Sequence, residues 1–511
     1  MPMQDKIILA IDQGTTGSTA LIVDFSGAEA VILGRSTIEF PQHFPKAGWV
    51  EHDLNEIWES IASATTRALE AASATHVAFD PSRIAAIGIT NQRETLCAYD
   101  RKSCSPLTRA IVWQCRRTAN ICERLKGEGL EATFRDRTGL VLDPYFSGTK
   151  MTWLLENETN VKSAIRGGRG VFGTIDTFLV SRLSGGEAFV TEPSNASRTL
   201  VFDIEHGTFD PTLTEALGLP DTNCLAEIRD SAGMFGVTKD VDFLPDGIPI
   251  TGILGDQQAA LAGQTCFGTG EAKCTYGTGA FLLVNQGNRK LASHAGLLTT
   301  VAWSLDGRYT YAFEGSSFIA GAALQFLRDQ LGLLESAPDS ETMASQAAAA
   351  PEVYYVPALV GLGAPYWDPA ARGAFLGLTR GTTREQIVRA ALEGMAFQVC
   401  DLIESMEKDL SEPMTILRVD GGAAANNLLM QIQADYSGLP VDRPANLETT
   451  AFGAALFAAL GCGIYSDLDE LRGIRRSERQ FNPGPTPADD VAVAKAGWKR
   501  AVEAVQLFAR A

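Results

Sequence analysis

The chain is poor in the residues that build metal clusters. It has 511 residues but only five histidines, and none of its nine cysteines (97, 104, 115, 122, 224, 266, 274, 400 and 462) forms a Cys-x-x-Cys pair. That argues against a zinc cluster, and an odd number of scattered thiols points to a reducing compartment. Basic runs are also missing. Acidic residues outnumber basic ones 61 to 43, for a net charge of −18, and in the densest basic stretch, 472–479, only Arg475 and Arg476 are adjacent. Such a surface repels nucleic-acid phosphates and anionic lipid, so neither partner is expected. The longest uncharged window, 449–466 (TTAFGAALFAALGCGIYS), holds three glycines and is short for a membrane span. It reads as a buried helix whose small residues allow close packing, and stable membrane insertion is not expected. The apolar stretch near the start, 7–11, is ended by Asp12, so no signal peptide is expected. Neither a Gly-x-Ser-x-Gly elbow nor a Gly-x-x-x-x-Gly-Lys-Ser/Thr loop occurs, which lowers the case for a serine hydrolase or a P-loop enzyme.

What is present looks like an ordinary globular chain, 45% hydrophobic and 20% charged, too long for one core and therefore of two or more domains. Residues 6–11, 20–25 and 30–33 read as three strands of an antiparallel meander with a polar turn, DQGTTGST, after the first. Asp53 and Glu56 suggest a variant capping box opening a helix that buries Ile57, Ile61, Thr65, Ala68 and Leu69. Residues 84–89 read as a strand, as do 248–254. A related pattern returns at 272–285, strand, Gly-Thr-Gly turn, strand, and 415–436 reads as strand, Gly-Gly turn, helix. Alternating strands and helices predict an α/β fold, and the repeated meander suggests a duplicated domain with a boundary near 250, where Pro245, Gly247 and Pro249 cluster.

The turn Asp12-Gln13-Gly14-Thr15-Thr16-Gly17 suits a phosphate, because glycine lets the main chain come close and N–H and hydroxyl groups donate. A carboxylate at the strand end can hold Mg²⁺ directly or through water. Thr275–Gly279 has the same chemistry, and Gly421-Gly422 precedes a helix start. Any one of these is equally well a ligand-free turn; three together favour a nucleotide. Asp256 follows a strand and opens a helix, which fits an N-cap as readily as a general base. Arg93 and Glu94, after the strand 84–89, could grip a polyol hydroxyl from both sides or form a surface ion pair. Trp113, Tyr145 and Phe281 read as core by spacing alone, and His43 and His52 as structural or solvated.

These segments together resemble the FGGY family of carbohydrate kinases, within the actin-like ATPase group. The resemblance runs from about 6 to 480 and is carried by DQGTT at 12–16, AGWVEHD at 47–53, GITNQRET at 88–95 and AIVWQCRRT at 110–118. GLVLDPYFSGTK at 139–150, GDQQAAL at 255–261, TYGTGAF at 275–281, GLGAPYWDP at 361–369 and RVDGGAAANN at 418–427 add to it. Both family signatures fit, at 145–157 and 373–393, and WQCRRT with NQRET points to members acting on glycerol rather than pentuloses. The resemblance implies two ribonuclease-H-like (actin-like ATPase) domains, 1–254 mainly polyol-binding and 255–511 mainly nucleotide-binding, with an interdomain cleft. It implies ATP-dependent phosphorylation of glycerol, or of a related polyol or ketose (erythritol, dihydroxyacetone, xylulose), in a cytoplasmic homo-oligomer, dimer or tetramer.

By matching motif, Arg93, Glu94, Tyr145, Asp256 and Gln257 would bind the glycerol hydroxyls, and Trp113 and Phe281 would pack its carbons. Thr15, Thr16, Gly17 and Thr278 would meet the phosphates of ATP. Gly321, Gln325, Gly422 and Asn426 would contact the nucleotide. Asp12 and Asp256 would hold Mg²⁺, and Asp256 would be the general base. The family's first loop continues Ser-Ser-Arg after its threonines. Here it reads Gly17-Ser18-Thr19, so the phosphate-neutralising Arg is missing.

Overall fold

Ile7–Gln13 is apolar on both faces, which suits a strand covered on both sides rather than one facing water. In the computed structural model, which describes residues 6–27, 29–76, 79–347, 353–484 and 486–510, it lies at the centre of a sheet. Strands β1 (Ile7–Gln13), β2 (Gly17–Asp24) and β3 (Val31–Glu39) form the expected antiparallel meander. β4 (Ile84–Asn91) runs parallel to β1. β5 (Ala232–Val237) lies antiparallel on the edge beside β6 (Pro249–Gly255), which continues parallel to β4. The order across this sheet is β5-β6-β4-β1-β2-β3. Residues 1–5, which precede the apolar stretch in the signal-peptide argument, lie outside the described residues.

The second sheet repeats the plan. β7 (Ala272–Tyr276), β8 (Ala280–Gly287) and β10 (Arg308–Ser317) lie antiparallel side by side, but the chain reaches β10 through β9 (Leu298–Leu305), which pairs on its outer edge. β11 (Leu417–Asp420) and β12 (Val441–Pro444) follow parallel to β7, and β13 (Ser477–Phe481) closes the edge. The order is β9-β10-β8-β7-β11-β12-β13. Three antiparallel neighbours followed by two parallel strands occur in both sheets, with β9 inserted in the second, so the α/β class and the repeated pattern read from the sequence are both present.

Helix α1 (Leu54–Thr75) buries Ile57, Ile61, Thr65, Ala68 and Leu69, the expected face. Its capping box forms only in part. Asp53 accepts the Asn55 N–H, but Glu56 hydrogen-bonds His43 Nε2 at 2.7 Å instead of reaching back to the cap. His43 is thus engaged, and His52 is fully buried between Gln42 and Gln92, with its imidazole pulled down to about 3 by burial. Three further helices position the site: α2 (Ser147–Asn157), α3 (Asp256–Gly263) and α4 (Gly321–Asp329). So do α5 (Asn427–Ser437) and α6 (Thr449–Gly461).

The uncharged window 449–466 forms α6, which ends at Gly461 and not at 466 because Gly463 turns the chain at φ +80°. Although it follows β12 of the second sheet, α6 packs on the first, against Ile8, Ala10, Leu21, Val23 and Ala86. It also crosses α3. The two backbones touch there: a Cβ on Gly453 would lie 1.8 Å from the Ala259 carbonyl oxygen, and one on Gly263 2.0 Å from that of Thr449. Only glycine fits at such a crossing. Gly453→Ala is therefore expected to destabilise the protein by about 1–3 kcal/mol or more, because the obstacle is main chain and cannot rotate away. Urea unfolding of the variant measures this, and an unchanged midpoint would contradict the packing described.

Candidate active site

β1, β4 and β6 lie side by side and run in the same direction, so their C-terminal ends share one edge of the sheet. In register, Asp12 is level with Thr90, and Gln13 and Gly255 are both level with Asn91. Three segments far apart in sequence, DQGTT, NQRE and GDQQ, are thereby brought together where open α/β sheets bind ligands. The second sheet does the same at β7 and β11. Thr275 is level with Asp420, and Gly421, at φ +85°, approaches Tyr276 so closely that a Cβ would meet its carbonyl oxygen at 2.6 Å.

Arg93 and Glu94 are not a surface pair. Both are buried, and their closest approach, Nε to Oε1, is 3.8 Å. Arg93 instead clasps Glu314 of β10 with Nη1 at 2.5 Å and Nη2 at 3.0 Å, and its Nε lies 3.2 Å from Asp256 Oδ1. Glu94, in the left-handed region at φ +60°, accepts from Arg198 Nε at 2.6 Å, and Arg198 Nη2 donates to Glu314 at 2.8 Å. Arg198 Nη1 is a buried donor with no protein acceptor. Tyr145 meets Trp113 edge to face with centroids 5.5 Å apart. The Trp113 Nε1–H donates to Thr15 Oγ1 at 2.9 Å, which leaves the hydrogen of that hydroxyl free for another acceptor. Phe281, half-buried on β8, sits opposite Thr275.

Asp256 is the first residue of α3, with Gly255 at the cap, so it is not the N-cap that the sequence allowed. Its Oδ1 accepts the Gln257 N–H at 2.7 Å. The Gln257 amide oxygen accepts from Lys273 Nζ, which also donates to Thr275 Oγ1 at 2.9 Å, tying the start of α3 to the second turn.

Of the residues expected to contact the nucleotide, Thr16, Thr278, Gln325 and Gly422 are exposed, while Gly17 and Gly321 are half-buried. The carbonyls of Gly277 and Thr278 accept the N–H groups of Gly321 at 2.9 Å and Ala320 at 2.8 Å, docking the start of α4 on the second turn. A Cβ on Gly422 would meet nothing within 4 Å. Asn426 caps α5 by accepting the Leu429 N–H at 2.9 Å and donates to Ser340 at 3.1 Å, so its amide is already engaged. Thr19 shares the sheet face of Asp12, opposite it on β2, and hydrogen-bonds Thr37 at 2.9 Å.

Burial, with Asp256 and Glu448 nearby, pushes the Asp12 carboxyl up to about 8. Asp256, 27% exposed at its side chain but set deep in the protein, is also raised by lost hydration, against the pull of Arg93 and Lys273. Two facing acids that resist ionising together suit a cation with oxygen ligands. Among the described residues no group of three or more His, Cys, Asp or Glu could hold a metal, so the remaining ligands of such a cation would be phosphate and water oxygens. Glu314 behaves oppositely. Burial pushes it up, but Arg198 and Arg93 hold it at about 2.

Four residues of this region were not legible as site residues: Arg198, Glu314, Lys150 and Lys273. Lys273 did leave a signal, since in AKCTY it alternates with buried Ala272, Cys274 and Tyr276, putting Lys273 and Thr275 on one polar face. Glu314→Ala should cost about 3–5 kcal/mol at pH 7, because it leaves two buried guanidinium groups uncompensated. The stabilisation from a depressed carboxyl is complete above its ordinary value of 4.5 and is lost as pH falls towards about 2. The gap between variant and parent in urea unfolding should therefore narrow over that range; a gap independent of pH would contradict the assignment.

A model of the FGGY family of carbohydrate kinases, N-terminal domain, matches residues 7–263, and that of the C-terminal domain matches 272–462. The glycerol kinase of Myxococcus xanthus is 52% identical over 501 residues, 98% of this chain and 99% of that one. That of Carboxydothermus hydrogenoformans is 50% identical over 500 residues, 98% of each. The crystal structure of Plasmodium falciparum glycerol kinase with ADP superposes with a TM-score of 0.89 at 33% identity, covering 98% of both chains. Gluconate kinase from Lactobacillus acidophilus, at 21% identity and a TM-score of 0.86 over 98% of both chains, shares the fold.

Proposed function

The chain belongs to the FGGY family of carbohydrate kinases, with two domains of actin-like ATPase fold, and on that premise we propose that it transfers the γ-phosphoryl group of ATP to glycerol. The products are sn-glycerol 3-phosphate and ADP, and the place of action is the cytoplasm. The observation that carries this reading is the position of Asp256. It stands 3.2 Å from the arginine of the polyol side and, through Gln257 and Lys273, next to the second glycine turn.

Arg93, Glu94, Tyr145 and Gln257 orient the glycerol hydroxyls, while Trp113 and Phe281 cover its carbons. Asp256 accepts the proton of the attacking hydroxyl as its oxygen bonds to the γ-phosphorus and the bond to the bridging oxygen of ADP breaks. The turns at Thr15–Gly17 and Thr278, with Gly321, Gln325, Gly422 and the main chain of Asn426, hold the nucleotide. Asp12 and Asp256 would hold Mg²⁺, which when bound neutralises phosphate charge. Water must be kept from the γ-phosphate, or ATP would be hydrolysed instead. The loss of the first-loop arginine at Thr19 leaves Arg93 and Lys273 as the cations flanking Asp256.

ADP release measured with glycerol, dihydroxyacetone, erythritol and xylulose tests the assignment. Glycerol should be the best substrate, and no glycerol-dependent release would overturn it. Asp256→Asn should lower kcat by about 10²–10⁴ with the fold kept, since an amide cannot take the proton; a fall of less than about threefold would remove Asp256 as base. Glu94→Ala should weaken glycerol binding by about 1–3 kcal/mol, by leaving a buried partner unpaired, and leave ATP binding unchanged. Calorimetric titration of each ligand separates the two.

A further inference from the structure

Helix α2 carries a lysine on its buried stripe. Ser147, Lys150, Met151, Leu154 and Leu155 all point inward, and Lys150 is 0% exposed. An apolar side chain would fill that position at less cost, because an ammonium gives up its hydration there and burial pulls it down to about 7. Its hydrogen-bond acceptors are two main-chain carbonyls rather than a carboxylate: Tyr145 O at 2.5 Å and Glu94 O at 3.2 Å. Ser147 Oγ, one turn earlier on the same helix, donates to the Glu94 carbonyl at 3.0 Å as well.

Both carbonyls belong to residues placed against the polyol, and neither lies in regular structure. Glu94 has φ +60°, a conformation a glutamate keeps only when its surroundings hold it. The carbonyl pinned by Lys150 and Ser147 fixes the peptide plane after Glu94, and the carboxylate of that residue is aimed at Arg198. The same ammonium fixes the chain at Tyr145, whose ring meets Trp113. We propose that Lys150, assisted by Ser147, is a positioning residue for glycerol: a clamp that holds the left-handed turn at Glu94 and the Tyr145 main chain in one geometry. It does not touch the substrate. The inference rests on the assignment of Glu94 and Tyr145 to the polyol site.

Lys150→Met keeps the length and volume of the side chain and removes the donors. In the full-length protein it should raise the KM for glycerol about tenfold or more, the scale of taking the Lys150 donor from the Tyr145 carbonyl and leaving the Glu94 carbonyl with Ser147 alone. The KM for ATP should stay within about twofold, because nothing in the clamp reaches the nucleotide side. A purely structural lysine would move both constants together or neither, and either result overturns the proposal. Should Lys150→Met fail to fold, Ser147→Ala is read the same way, with a rise in glycerol KM of about threefold or more expected and an unchanged value overturning the clamp. Glu94→Ala, run alongside, separates the two ways of failing. A rise in glycerol KM in Glu94→Ala without one in Lys150→Met overturns the clamp alone. No rise in either overturns the polyol assignment of Glu94 and the clamp with it.

Discussion

The architecture of the site depends on a carboxylate that comes from the other sheet. Glu314 rises from β10 and is held by two arginines of the first half, Arg93 and Arg198, all three out of water. Arg93 then has Asp256 at 3.2 Å and Glu94 at 3.8 Å, and Arg198 has Glu94 at 2.6 Å. A buried charge without a partner is so costly that none of these groups can relax independently. One alternating chain of charges thus links the end of β4, the start of α3 and the second sheet, and it fixes the relative placement of the groups proposed to hold the polyol.

Around that chain the protein uses neutral hydrogen bonds to set local shape. Trp113 orients the hydroxyl of Thr15, Asn426 caps α5, and the start of α4 docks on the carbonyls of the second turn. The residues proposed to hold the nucleotide are correspondingly open: Thr16, Thr278, Gln325 and Gly422 are exposed, whereas Arg93 and Glu94, proposed to hold the polyol, are buried. A small neutral substrate has few atoms by which to be recognised and needs an enclosing site, whereas a triphosphate offers charge that exposed turns can meet.

Much of this was legible in the sequence where local pattern carries the signal. The repeated strand, glycine turn, strand pattern followed from local spacing, and the small residues of 449–466 pointed to a buried, closely packed helix, which ends five residues sooner, at Gly461. DQGTT, NQRE and GDQQ each stood out as a polar turn after an apolar run, although only the parallel pairing of β1, β4 and β6 shows that they are neighbours. Glu314 was not legible, because a single acid in YAFEGSS looks the same whether it faces water or two arginines from another sheet. Arg198 was hidden for the same reason. Lys150 lay within a quoted segment but was not singled out, although a charged residue on an otherwise inward stripe was itself a sign. Asp256 was open to two readings from its sequence, an N-cap or a general base, and the N-cap drops out because Gly255 occupies the cap.

The crossing of α3 and α6 has a mechanical consequence. Helices that meet through side chains interlock ridge in groove, and turning one against the other means lifting a whole row of side chains over its neighbour. Here the meeting point is bare main chain at Gly453 and Gly263. A contact of this kind brings the two axes closer than side-chain packing allows, with Phe457 of α6 packed beside it among Ala259, Leu261 and Ala262 of α3. Because α6 rests on the first sheet while α3 leads into the second, any side chain placed at Gly453 or Gly263 would push apart the two helices and the elements they carry.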